Sequence, residues 1–187
     1  ICGTNASGKT TLQRLIPVFY GEYPSRVVPA TRDSFEKWYL PRESSFIVYE
    51  YTRNEGDLCQ VVLASSGNGV NYRFIGKPFD ISDYLYQNKA GEHRSVTMNE
   101  LARGLKRANV LVTNLLNTKE FRAILQNDKG VLNDSTNNRE LLGYARIFSL
   151  CEQSNHLRHI EKLAKAVHSK EGKMETIKAM IAAILEE

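Results

Sequence analysis

Apolar and polar positions change their period several times along this chain, and each change marks an element. Between Gly3 and Tyr20, Leu12, Leu15 and Ile16 recur at helical spacing behind a glycine-containing start, which predicts a loop and then a helix. Pro17 lacks an amide donor and is expected to limit that helix, with Gly21 at its end. From Tyr23 to Arg42, Pro24, Pro29 and Pro41 punctuate scattered charge, so this stretch reads as a long irregular connection. Three β-branched and aromatic runs follow, Ser45 to Tyr51, Leu58 to Ala64 and Val70 to Ile75. The short polar links between them, each carrying Gly, predict an antiparallel meander.

After Pro78 the pattern turns helical. Thr97 and Glu100 have capping-box spacing ahead of Leu101, Leu105 and Ala108. A second short helix is expected from near Thr118, with Phe121, Ile124 and Leu125 on one side. The run Gln126 to Gly130 is a polar break in which Gly130 favours a turn. From about Arg139 the pattern predicts helix to the end, softened at Gly172. Within it, Ile160, Val167, Met174 and Ile181 fit heptad position a, and Leu163, Lys170, Ile177 and Ile184 fit position d. Seven of these eight places are apolar, and Lys165, Lys173 and Lys178 flank them, so residues 157–187 read as the start of a coiled coil after a domain spanning residues 1–156. A single amphipathic helix packed on its own domain is the alternative, since periods of 3.5 and 3.6 barely separate over so few turns.

Composition narrows the class. The 187 residues are 42% hydrophobic and 25% charged, which suits a packed domain and not a disordered chain. A net charge of +4 is too small to name a nucleic-acid or membrane partner by itself. No apolar run approaches the roughly 20 residues of a membrane span. Cys2, Cys59 and Cys151 are odd in number and widely spaced, which suits a reducing cytoplasm and no disulfide framework. Both ends look cut: Ile1-Cys2 is the stub of a strand, and the heptad pattern is still running at Glu187. The chain is therefore expected to be part of a longer protein.

The sharpest chemical signal is Gly3-Thr4-Asn5-Ala6-Ser7-Gly8-Lys9-Thr10, which fits G-x-x-x-x-G-K-[ST]. Ordinary residue frequencies would produce this in a chain of such length about 1 time in 150. Its glycines let backbone N–H groups approach phosphate oxygens at a helix N-terminus, Lys9 reaches the β and γ phosphates, and the Thr10 hydroxyl is placed for Mg²⁺. An ordinary turn at a helix start is the alternative. Hydrolysis also requires a carboxylate at the end of an apolar strand. The nearest candidate, Glu50 after Phe46-Ile47-Val48-Tyr49, lies within a continuing alternation and reads as a strand-face residue.

These features in this order resemble the N-terminal half of an ATPase head of the structural maintenance of chromosomes (SMC) class, near its MukB-like bacterial members. The phosphate loop, the proline-rich connection, the three-stranded meander, Gln126 beside a turn and a helix leaving as a coiled coil carry the likeness. It spans nearly the whole chain in the order of elements, and Gly3 to Thr10 is its one sharp match. The resemblance implies an α/β P-loop NTPase fold, an ABC-type half-domain with an antiparallel β subdomain and a C-terminal helix entering a coiled coil. It implies ATP and Mg²⁺ bound by Gly3, Asn5, Ala6, Ser7, Gly8, Lys9, Thr10 and Thr11. Lys9 and Gln126 would serve catalysis, with Thr10 and Gln126 on the metal and Gln126 also on the attacking water. The implied partners are the missing C-terminal half of the head, a second head, an antiparallel returning coiled-coil strand, and DNA held without sequence preference. Arg26 and Arg32 stand where the family often has an arginine-bearing loop, and either could instead be a solvated surface arginine.

Lesser signals and two rivals complete the reading. His156 and His159 could share a metal on the last helix, His168 could not join them, and no ligand set completes a zinc site. Arg103, Lys106 and Arg107 give one helix a basic side suited to nucleic-acid phosphate or simply to water. A P-loop kinase or other small-molecule phosphotransferase would use Arg26, Arg32 and Arg42 as lid arginines. A scaffold with a decayed nucleotide loop is the non-enzymatic alternative.

Overall fold

A computed structural model describes residues 8–28, 33–53 and 56–151, with the backbone alone for Lys9 and Thr10. These residues form a mixed α/β fold around two antiparallel sheets. The chain runs through α1 (Lys9–Phe19), α2 (Pro24–Val27) and α3 (Phe35–Tyr39) into β1 (Ile47–Thr52), β2 (Leu58–Ser65) and β3 (Val70–Ile75). Next come α4 (Ile81–Tyr84) and a short hairpin of β4 (Leu85–Gln87) and β5 (His93–Ser95). The sequence then closes with α5 (Met98–Arg107), α6 (Thr118–Leu125), α7 (Lys129–Asn133) and α8 (Asn138–Phe148).

The main sheet is the expected meander in the order β1-β2-β3, with Glu50 opposite Gln60 and Val62 opposite Arg73. Side chains alternate between its two faces, so one strand set serves two cores. Cys59, Val61, Leu63, Tyr72 and Phe74 point to the face covered by α6, α7 and α8. There Tyr72 stacks on Phe121 at 4.3 Å between ring centres, and Phe74 stacks on Phe148 at 5.1 Å. Val62, Ala64 and Ile75 point to the other face, which Met98, Leu101, Ala102 and Leu105 of α5 cover. Gln60 is buried on that second side with its amide fully used: Nε2 donates to the Lys77 and Pro78 carbonyls and Oε1 accepts from Tyr84 Oη. The outer edge of β3 is closed by residues 111–116, where Tyr72 and Leu116 exchange two backbone hydrogen bonds of 2.9 Å. A covered edge leaves no open ladder for another strand.

Several local expectations give way to tertiary context. The stretch from Tyr23 to Arg42 holds α2 and α3, whose Val27 and Phe35 are buried in the first core. Helix α1 runs through Pro17, because in the last turn a missing donor removes one hydrogen bond while the Pro17 carbonyl still accepts from Glu22 N at 3.0 Å. Gly21 then ends the helix at φ 95°, donating to Val18 O, and the two bonds together make a Schellman close. After α6 the left-handed residue is Asn127 at φ 52°, whereas Gly130 lies inside α7. The helix expected from Arg139 stops at Phe148: Ser149 is extended, and Leu150 N donates to Leu125 O at 2.9 Å. The heptad segment 157–187, the strand stub Ile1-Cys2 and the helical histidines lie outside the described residues. The β4–β5 hairpin has no alternating apolar signature, since five of its six residues are exposed and the sixth is half-buried.

Candidate phosphate-loop site

The last glycine of the loop motif, Gly8, is the N-cap of α1 and takes a left-handed conformation at φ 79° and ψ 5°. Among the described residues a Cβ there would meet nothing within 4 Å, and the positive φ alone favours glycine. The backbone turns directly into α1 at Lys9, and Leu12 N opens the helical ladder on Gly8 O at 3.0 Å. Among the described residues no side chain caps this terminus, and no acidic residue stands in its first turn. The N–H groups ahead of the ladder, and the positive end of the helix dipole, are thus uncompensated by the helix's own sequence, an arrangement suited to an anion.

The opposite end of α1 is held firmly. Tyr49 Oη donates to Leu15 O at 2.7 Å, and burial pushes the phenol's pKa upward, keeping it a neutral donor. Phe19 packs against Tyr49 and Tyr51 at 5.3 and 5.6 Å. A Cβ on Gly21 would fall 2.8 Å from Arg122 Cγ, so α6 approaches α1 closely at this point. Gln126, the C-cap of α6 and buried, donates from Nε2 to Tyr20 O at 2.9 Å. Between these fixed points Leu12, Ile16 and Tyr20 remain exposed along one side of α1, lining an open apolar groove with Phe19 and Tyr49.

Over residues 1–187 the sequence matches the profile of a family described as protein of unknown function (DUF3584). The chain belongs to the DUF3584 family. No curated protein matches it, and no solved structure matches it.

Within this DUF3584 chain the expected site residues separate by position. Gly3, Asn5, Ala6 and Ser7 lie outside the described residues, Gly8 forms the cap, and Thr11 is exposed in the first turn of α1. Gln126 is not brought to them. Its amide is committed at Tyr20, ten residues along α1 from Thr10, or about 15 Å at the rise of an α-helix. In this structure the Gln126 amide clamps α6 to the C-terminal end of α1. Glu50 is a strand-face residue as its alternation indicated, and its Oε2 accepts from Phe79 N at 2.6 Å.

The basic candidates divide too. Arg26 pairs with the buried carboxylate of Glu22 at 3.3 Å and lies 5.3 Å over the Tyr23 ring. Arg32 lies outside the described residues. Arg103, Lys106 and Arg107 are all exposed on α5. Arg73 is the residue that sequence reasoning missed. Its signal was a cation within an otherwise β-branched and aromatic strand, at a position whose alternation points inward. Among the described residues no group of three or more His, Cys, Asp or Glu could hold a metal, and no helix is long and apolar enough to cross a membrane.

Proposed function

We propose that this chain is the ATP-binding half of an SMC-like P-loop ATPase head, whose nucleotide drives head engagement and DNA handling in the assembled protein. The observation that carries this reading is the motif Gly3 to Thr10 opening onto α1 through a left-handed Gly8, with no acidic residue in the helix's first turn. The backbone amides of the loop and α1 bind phosphate oxygens, Lys9 adds charge-assisted contacts, and Thr10 supplies a hydroxyl to Mg²⁺. Bound Mg²⁺ neutralises charge on the β and γ phosphates. The in-line carboxylate that polarises water belongs, on this reading, to the other half of the head.

The exposed stripe of Leu12, Ile16 and Tyr20 supports a split head, because it leaves along α1 an apolar face that a second lobe would cover. Gln126 acts as a positioning residue that ties α6 to the C-terminal end of α1. DNA, in this scheme, is held through phosphate contacts and without base readout. Of the lid arginines a phosphotransferase would use, Arg26 is engaged by Glu22.

Two measurements test the proposal. Calorimetric titration with ATP and Mg²⁺ should show binding that Lys9→Ala weakens at least tenfold, in line with charged hydrogen bonds of roughly 1.5–3 kcal/mol each. Adding the complementary half in trans should restore ATPase activity whose specific rate rises with protein concentration, as two meeting heads require. Brisk turnover by the 187-residue chain alone, independent of concentration, would replace the split head with the phosphotransferase reading.

A further inference from the structure

Two charged side chains are buried among the described residues, Glu22 and Arg73, and they are treated differently. Glu22 has Arg26 as its counterion. Arg73 has no carboxylate paired with it among the described residues, although only 7% of its surface is exposed. It sits on β3, on the sheet face that α5 covers. Nη1 donates to Thr113 O at 2.5 Å, and Nε is buried without any hydrogen-bond partner. The titratable group coupled to it is the Tyr144 phenol, whose hydroxyl donates to Glu140 Oε1 at 2.6 Å. Burial draws the arginine's pKa below its ordinary value, yet a guanidinium remains protonated in proteins. Holding a buried cation without a carboxylate partner is costly, and an anion that reaches it would offset that cost.

The surroundings offer a place for one. Arg73 lines an open groove of about 390 Å³ whose other walls are Asn99, Ala102, Arg103 and Lys106 of α5. Three cations and an amide therefore converge there with no carboxylate in the lining. Glu100, the acidic residue of this helix, is occupied at the capping box with Thr97.

We propose that this groove is a binding site for a terminal phosphate group, with Arg73 as its recessed anchor and Arg103 and Lys106 as its outer cations. With Nε closed off and Nη1 engaged by Thr113 O, the donors left for phosphate oxygens are Nη2 and the second hydrogen of Nη1, and the partly desolvated position strengthens each contact. Recession of Arg73 selects a phosphate with one ester arm or none. An internal phosphodiester must pass both of its arms between the α5 side chains to reach the same depth. Inorganic phosphate and the phosphorylated end of a polynucleotide share the required chemistry. The site lies on β3 and α5, is built without any residue of the phosphate loop, and stands whether or not α1 binds ATP.

The test uses the full chain carrying Lys9→Ala, so that the phosphate loop contributes least, at fixed ionic strength. Inorganic phosphate should raise the melting temperature saturably, and a 5′-phosphorylated single-stranded oligodeoxynucleotide should bind at least tenfold more tightly than its 5′-hydroxyl counterpart by fluorescence anisotropy. Exchanging the two exposed cations, in the double variant Arg103→Ala and Lys106→Ala, should weaken both effects at least tenfold while leaving the ligand-free melting temperature near that of its parent. Arg73→Gln should abolish them, and if it fails to fold the double variant decides alone. Phosphate protection that the variants reduce, with no preference for the phosphorylated end, assigns the site to free phosphate. Absence of saturable phosphate binding, or binding that the double variant leaves unchanged, overturns the proposal.

Discussion

Helices α1 and α5 are nearly equal in length, at 11 and 10 residues, yet the chain finishes them in opposite ways. In α5, Thr97 and Glu100 form a reciprocal capping box, and Met98, Leu101, Ala102 and Leu105 are all buried against the sheet. Its polar side carries Arg103 and Lys106 to the surface. Helix α1 begins on a glycine with no side-chain cap and leaves Leu12 and Ile16 at 53% and 46% exposure. One helix has satisfied its own terminus and covered its own stripe. The other leaves its first turn without a side-chain cap among the described residues and keeps an apolar face on its side. Capping and coverage together therefore separate a helix finished by its own sequence from one that is not.

Truncating the covered stripe should give the largest effect. Leu101→Ala removes a fully packed side chain at 2% exposure and is expected to cost about 2–5 kcal/mol in urea unfolding. A loss under about 1 kcal/mol would mean that α5 is not packed as described.

Gly21→Ala probes the fixed end of α1 and ranks next, at about 1–3 kcal/mol, because φ 95° strains any L side chain and the new methyl meets Arg122. Shortening the neighbour with Arg122→Ala removes Cγ and Cδ but keeps Cβ at 3.1 Å, so it should recover part of the steric cost and leave the backbone part. No recovery would separate the close approach from the cost.

Loss of the α5 cap through Thr97→Ala should cost about 1 kcal/mol. The same box has a pH signature. Hydrogen bonds from Thr97 N and then its hydroxyl hold the Glu100 carboxyl below its ordinary pKa. A depressed folded pKa contributes stability above the unfolded value, about 4.3, and that contribution is lost as pH falls toward the folded one. The stability difference between the natural chain and Glu100→Gln should accordingly be flat from pH 5 to 7 and shrink below about pH 4, measured by urea midpoints.

The smallest effect is expected where the comparison is most exposed. Ile16→Ala, on the open side of α1, should change the stability of this chain by no more than about 0.5 kcal/mol. On the split-head proposal it should nevertheless weaken association with the complementary half. A large stability loss would show that the stripe is already covered within this chain.

Local chemistry made much of this protein legible without coordinates. The meander followed from three β-branched runs with short glycine-bearing links, the α5 cap from Thr97 and Glu100, and the α6 face from Phe121, Ile124 and Leu125. Gly21 was recognisable as a helix end because positive φ is cheap for glycine alone. The phosphate-loop candidate was equally plain, since its motif encodes backbone angles and a charge in eight consecutive residues. What the sequence could not set was every property that depends on distance through space. Pro17 is carried inside α1 because the Schellman close supplies the end that proline was expected to impose. Gln126 precedes a turn, as read, but which end of α1 that turn faces is decided by packing of α6 against Gly21. Arg73 stood out only as a cation within a strand, because its meaning lies in the absence of a paired carboxylate among the described residues and the presence of two cations on α5. Spacing along a chain fixes angles and faces; the partner of a buried charge is fixed only when remote elements close over it.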